Sequence, residues 1–310
     1  MGRPGNSGYG CALFRREDNG MKYQAFHELY GRFLDTSGIA DKMLDVAYGP
    51  YPRNRLDIYY PDDRPGPWPV VVFFHGGAFF KGDKGRYQLR PALFGLERGY
   101  AVVSVNYRLA PADYVPAAFL DARMALQYLK ANAQALKLDP GRMAVWGESA
   151  GASLACYVGL VKEPELSEDP LAPYPGQSCE VGAVIDWYAP VDMASLELEH
   201  RTTDALRIEG KTLHEFACGC GGDALLELLR KVDPSNYLHP GIPPVLIQHG
   251  TADTVVPVGS SLRFREKLLA YLPEDMVPLD LVEGAEHGVA AFENKENLER
   301  IFDFLDRCLN

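Results

Sequence analysis

Uninterrupted apolar, β-prone runs recur along this chain with helical periodicity between them, and that alternation limits the fold more than any other feature. Residues 70–74 (VVVFF) are the clearest run: nothing polar breaks it, as in a central strand covered on both faces. Residues 101–105, 143–146, 181–185, 245–247 and 277–282 read the same way, and 54–60 (NRLDIYY) alternate as a strand with one wet face does. Between them, Phe119, Ala122, Leu126 and Leu129 mark one helical face within residues 117–136, and residues 260–272 and 296–309 repeat the period. Strands alternating with helices predict an α/β fold. A mostly parallel central sheet, helices on both faces and functional loops at the carboxyl ends of the strands are expected.

Two regions fall outside the alternation. Residues 1–41 form an N-terminal extension containing the aromatic-rich piece YQAFHELYGRFL, and residues 192–240 mix short helical patterns with turns. Either packs over the strand ends as a lid, an insertion on the fold, or is peripheral decoration. Neither an internal repeat nor a low-complexity linker interrupts the 310 residues, so a single domain over 1–310 is expected. The net charge of −11 comes from acidic residues spread along the chain, which argues against nucleic acid or an anionic membrane surface as partner. No apolar run is long enough to span a bilayer, and the first twenty residues carry charges where a signal peptide needs none, so a cytoplasmic location is expected. Cys11, Cys156, Cys179, Cys218, Cys220 and Cys308 are scattered as free thiols would be. The Cys218-Gly219-Cys220 gap suits neither zinc nor redox chemistry, and the sequence implies no metal and no cofactor.

The run at 143–146 leads straight into Gly147-Glu148-Ser149-Ala150-Gly151, followed by helix formers. A serine between two glycines at a strand-to-helix turn matches a nucleophile elbow, whose tight backbone leaves no room for side chains two positions either side. The helix that starts there aims free N–H groups and its positive dipole end at whatever the serine attacks. Glu148 reads as structural, a charge favoured by that dipole or one touching a neighbouring loop.

A serine hydroxyl needs a base, and the base needs orienting. His287, in EGAEHG after the last strand, is the histidine placed to return across the sheet edge. His27, His200, His214 and His239 lie off the alternation and read as surface or packing residues, and His75 reads as a brace for its loop. Asp253, in HGTAD after the 245–247 strand, is the expected orienting acid, with Asp192 its rival; Glu283 and Glu286 lie too close to His287 in sequence. The order Ser149, Asp253, His287 is that of α/β-hydrolases. Gly76 and Gly77, at the mouth of the 70–74 strand, and Ala150, after the serine, are the expected oxyanion donors.

HGGAFF, VVSVNYRLAP, GESAG, HGTAD and EGAEHG together resemble the α/β-hydrolase esterases related to hormone-sensitive lipase. DIYYP, VNYRLAP, DWYAPVD and HGTADTVVP look most like the bacterial carboxylesterases grouped with feruloyl and acetyl xylan esterases. The resemblance covers about residues 44–308. It implies the α/β-hydrolase fold, nucleophile, acid and base at Ser149, Asp253 and His287, oxyanion donors at Gly76, Gly77 and Ala150, and no cofactor. The expected partner is a small-molecule ester with a short acyl or aryl-type acid, hydrolysed through an acyl-enzyme. This chain departs from the pattern at Ala78, where members often carry a third glycine, and in the length of 192–240. A prolyl-oligopeptidase-like peptidase and a non-catalytic hydrolase-fold receptor are the alternatives. The first usually carries a large extra domain, for which 310 residues leave no space, and the second would be expected to lose Ser149, His287 or the donor glycines. Phe79, Phe80, Trp187 and Tyr188 suit a pocket or a core equally. The oligomeric state is not legible.

Overall fold

The computed structural model describes residues 31–309, apart from 63, 64, 163, 165, 167 and 204. The apolar runs become strands of one eight-stranded sheet: β1 (Lys42–Ala47), β2 (Arg55–Tyr59), β3 (Trp68–Phe74), β4 (Ala101–Asn106), β5 (Leu138–Glu148), β6 (Ala183–Trp187), β9 (Val245–Gly250) and β10 (Leu279–Val282). Their order across the sheet is β1-β2-β4-β3-β5-β6-β9-β10. β1 and β2 are antiparallel to their neighbours, and every pair from β4 to β10 is parallel.

Period two along β3 explains why its sequence never turns polar. Val70, Val72 and Phe74 enter one core while Val71 and Phe73 enter the other, and all seven residues of the strand are buried. On the first face lie α2 (Ala117–Ala131), α3 (Ala150–Leu160) and α7 (Gly259–Leu268), through residues such as Phe119, Leu154 and Phe264. The short α1 (Arg90–Leu93) and the long α8 (Lys295–Leu309) cover the second through Ala92, Ile301, Phe302 and Leu305. Each of the leucine, isoleucine and phenylalanine side chains among them, once buried, stabilises the fold by roughly 1.5–3 kcal/mol.

Several boundaries differ from the pattern. α2 ends at Ala131, and the backbone turns at Asn132, whose carbonyl accepts from Leu136 N–H at 3.0 Å; Leu136 is still buried, so its apolar character reported burial and not helix. α7 likewise ends at Leu268, four residues before the periodicity does. The pattern gave no strand at β1, whose Met43 and Leu44 are 41% and 49% exposed. Antiparallel pairing with β2 holds it, with an irregular register between Met43 and Val46.

Residues 192–240 carry α4 (Met193–Thr202), a two-stranded hairpin of β7 (Arg207–Ile208) and β8 (Lys211–Thr212), α5 (Leu213–Cys218) and α6 (Gly222–Val232). A capping box between Thr212 and Glu215 starts α5. From α5, Phe216 meets Phe80 edge-on at 5.3 Å, and the Ala217 carbonyl accepts from Val115 N–H at 3.1 Å. Most of the N-terminal extension, with Cys11 and His27, lies outside the described residues; Arg32 and Leu34 hydrogen-bond Tyr87 and Gly85. Among the described residues no helix is long and apolar enough to cross a membrane.

Candidate active site

β5 delivers Ser149 to the carboxyl edge of the sheet, and α3 begins at the next residue. Ser149 has φ 52° and ψ −126°, a conformation that costs a non-glycine residue on the order of 1–3 kcal/mol. Its N–H donates to the Trp187 carbonyl at 2.9 Å, which ties the turn to the end of β6. Both flanking glycines are sterically required. A Cβ on Gly147 would lie 2.1 Å from the Gly151 carbonyl oxygen, and one on Gly151 would lie 2.1 Å from that of Phe74.

Two distant segments complete a hydrogen-bonded chain. His287, beyond β10, places Nε2 2.8 Å from Ser149 Oγ and Nδ1 2.7 Å from Asp253 Oδ2. The other carboxylate oxygen of Asp253 accepts the N–H groups of Val255 and Val256 at 2.8 and 2.9 Å. Burial alone would raise this carboxyl. Hydrogen bonds from His249 and His287, the charge on His287 and the Val256 N–H outweigh it and hold Asp253 well below the usual carboxylate range. Asp253 therefore stays ionised beside the imidazole. Asp192, its rival in the sequence, pairs instead with Arg263 at 3.4 Å. His200 and His214 stack with ring centroids 6.1 Å apart, and His214 meets the buried Glu197 at 3.2 Å.

The loop after β3 departs from expectation at one position. Gly76 N–H donates to Glu148 Oε1 at 3.0 Å, so it is not available to an oxyanion, and Gly76 drops out of the expected donor set. A Cβ on Gly76 would lie 2.6 Å from the same oxygen, so the glycine is there for close approach. Among the described residues no acceptor takes the backbone N–H of Gly77, Ala78 or Ala150. Gly77 has φ 128°, and a Cβ there would strike the Lys81 carbonyl at 2.1 Å; Ala78 and Phe79 follow at φ 50° and 63°. Ala78 was not anticipated, because alanine in a left-handed conformation leaves no mark in the sequence.

Glu148 is fully buried and anchors this edge of the site. Besides Gly76 it accepts from Gln88, and its second oxygen accepts from Tyr188 Oη at 2.8 Å. Burial pushes its carboxyl up, against those hydrogen bonds and the charge of His287. The Tyr188 ring in turn packs edge-on against His287, with centroids 4.8 Å apart. His75 is a brace, as its place in the loop suggests: it stacks on Tyr107 at 4.4 Å and its Nδ1 lies 2.8 Å from the Gly76 carbonyl. Burial pushes its imidazole down to about 4, so it is neutral near pH 7.

One strand from the elbow, Asp186 on β6 is completely buried. Its Oδ1 accepts from Ala189 N–H at 2.9 Å, Oδ2 has no hydrogen-bond partner among the described residues, and burial raises the carboxyl to about 6. A groove of about 570 Å³ between α4 and α6, lined by Asp192, Leu198, Arg230 and Asn236 among others, includes none of Ser149, Asp253 or His287.

The chain is 28% identical over 270 residues to Esterase LipC of Mycobacterium tuberculosis, covering 82% of this chain and 65% of that protein. It is 28% identical over 243 residues to the probable carboxylic ester hydrolase LipM of the same organism, covering 76% of this chain and 54% of the relative. This chain thus spans less than two thirds of the length of these curated relatives. A truncated carbohydrate esterase from gut microbiota superposes with a TM-score of 0.76 at 23% identity, over 89% of this chain and 99% of that one. The shared architecture is the α/β-hydrolase fold. A family model described as BD-FAE matches residues 56–268, and the chain belongs to that family.

Proposed function

We propose that this protein is a serine carboxylesterase that hydrolyses short-chain acyl esters through an acyl-enzyme. The observation that carries this reading is the continuous contact from Ser149 Oγ through His287 to Asp253, at 2.8 and 2.7 Å, beside backbone N–H groups that meet no acceptor among the described residues. In the first half-reaction Ser149 Oγ bonds to the ester carbonyl carbon as its proton passes to His287 Nε2. The carbonyl oxygen becomes an oxyanion, held by N–H groups of Gly77, Ala78 and Ala150. Collapse breaks the bond to the alcohol oxygen, which leaves with the proton from His287. Water then attacks the acyl-serine, gives its proton to the same nitrogen and releases the acid, returning the proton to Ser149. Asp253, kept ionised, stabilises the imidazolium that forms in each half.

The preference for short acyl chains belongs to this reading and is supported by the sequence resemblance to the feruloyl and acetyl xylan esterase group. The names of LipC, an esterase, and of the gut carbohydrate esterase support ester hydrolysis. A cytoplasmic location belongs to this reading and is supported by the free cysteines Cys156, Cys179, Cys218, Cys220 and Cys308. The test is initial rates on p-nitrophenyl acetate, butyrate and octanoate for the wild type and Ser149→Ala. Fastest turnover on acetate or butyrate, abolished in the variant, is expected; activity surviving the substitution would place the nucleophile elsewhere.

A further inference from the structure

Asp253 is held by two imidazoles, and only one of them touches Ser149. His249, near the end of β9, is completely buried. Its Nε2 lies 2.8 Å from the Val256 carbonyl oxygen and 3.3 Å from Asp253 Oδ2, and its Nδ1 lies 2.7 Å from Ser261 Oγ. Both neighbours of Nε2 are acceptors, so that nitrogen carries a hydrogen. The Ser261 hydroxyl then donates to Nδ1, and the ring is fixed at both ends. Ser261 sits in the first turn of α7, so this imidazole fastens the acid loop, residues 250–257, to the helix behind it.

We propose that His249 is a positioning residue for ester hydrolysis: its Nε2–H shares Asp253 Oδ2 with His287, and so sets the direction of the carboxylate and how strongly it holds the His287 proton. This rests on the esterase reading above. The groups that face His249 are Asp253, the Tyr188 ring edge-on at 6.3 Å, Ser261 of α7 and, on neighbouring β6, the buried Asp186. Oδ2 divides its negative charge between two donors. Taking one away concentrates that charge on His287, which favours the imidazolium and moves the acidic limb of kcat/KM to higher pH. The carboxylate also gains freedom to swing out of line, which lowers kcat.

The experiment compares two substitutions on p-nitrophenyl acetate across pH. His249→Asn keeps an amide beside Ser261 but is too short to reach Oδ2. It is expected to lower kcat about tenfold through the freed carboxylate, with KM changed less than about threefold. Its acidic limb is expected to move up by about half a pH unit or more. His249→Gln carries an amide donor to the Nε2 position and restores the limb. A packing role alone would lower thermal stability in both variants and leave the limb in place, which overturns the proposal. Should His249→Asn not fold, Ser261→Ala decides: loss of the hydroxyl frees the ring and shifts the limb in the same direction, and an unmoved limb overturns the proposal. Fluorophosphonate labelling separates the two levels. A wild type that is neither labelled nor active overturns the esterase reading itself, whereas a labelled, active wild type with unmoved limbs in the variants overturns only the role of His249.

Discussion

Gly76 and Glu148, 72 residues apart in sequence, are joined by a hydrogen bond of 3.0 Å from backbone N–H to Oε1. The residue before Ser149 thereby holds the start of the loop in which, among the described residues, no acceptor takes the N–H groups of Gly77 and Ala78, so the turn at Ser149 and the loop are positioned as one unit.

Glu148→Ala should therefore impair catalysis without touching Ser149, His287 or Asp253. It frees the loop and leaves Gly76 N–H and Tyr188 Oη without their acceptor. Because misplacing one oxyanion donor costs about 10²–10³ in kcat, a loss near the lower end of that range is expected. Steady-state kinetics on p-nitrophenyl acetate check it, with KM nearly unchanged.

Gly147→Ala and Gly151→Ala should each be strongly destabilising. In both, the added methyl group meets backbone oxygen at 2.1 Å, and neither a strand nor the start of α3 can yield to it cheaply. A loss of more than about 3 kcal/mol is expected, read from urea unfolding. A variant of normal stability would show that the elbow is looser than its geometry.

His75 and Asp186 give stability opposite slopes with pH. His75 titrates near 4 in the fold and at about 6.5 when unfolded, so its contribution is full above about 6.5 and is lost as pH falls toward 4. Asp186 titrates near 6 in the fold and at about 3.9 unfolded, so its contribution is full at low pH and is lost as pH rises from about 4 to 6. Each amounts to about 3 kcal/mol, and between pH 4 and 6 the two largely offset one another. Asp186→Asn should uncover the His75 slope, giving a protein whose unfolding free energy falls more steeply than wild type as pH drops from 6.5 to 4.5. Urea titrations at pH 4.5, 5.5 and 7.5 measure it.

Arg108 is a buried cation shared by two carboxylates, Asp121 at 2.7 Å and Asp169 at 2.9 Å, and its guanidinium lies 3.8 Å from the centre of the Tyr51 ring. Arg108→Ala should cost about 3–5 kcal/mol, because Asp121 is left charged in the interior. The double variant Arg108→Ala, Asp121→Asn should recover part of that loss in thermal unfolding.

What could be read from the sequence depended on how local its cause was. β3 was legible because both of its faces are buried, so every residue from 70 to 74 had to be apolar. Ser149, Asp253 and His287 were legible because each follows a strand, and the chain order of the strands fixes the order of the loops. β1 was not, since an edge strand exposing Met43 and Leu44 carries no alternation and exists only through its pairing with β2. Gly76 was misassigned for a similar reason. Adjacent glycines look alike in sequence, and only the fold reveals that one of them faces the buried carboxylate of Glu148.

The sheet also distributes the three site residues unequally. Ser149 extends from β5, which is flanked by β3 and β6 in the interior of the sheet, while His287 follows β10, which among the described residues is an edge strand paired with β9 alone over four residues, with Leu281 46% exposed. Local opening draws on the least-paired elements first. In a rising denaturant series His287 should therefore detach while the central strands are still intact. Turnover would fade at a lower urea concentration than the circular dichroism of the helices, and return on dilution without any refolding of the core.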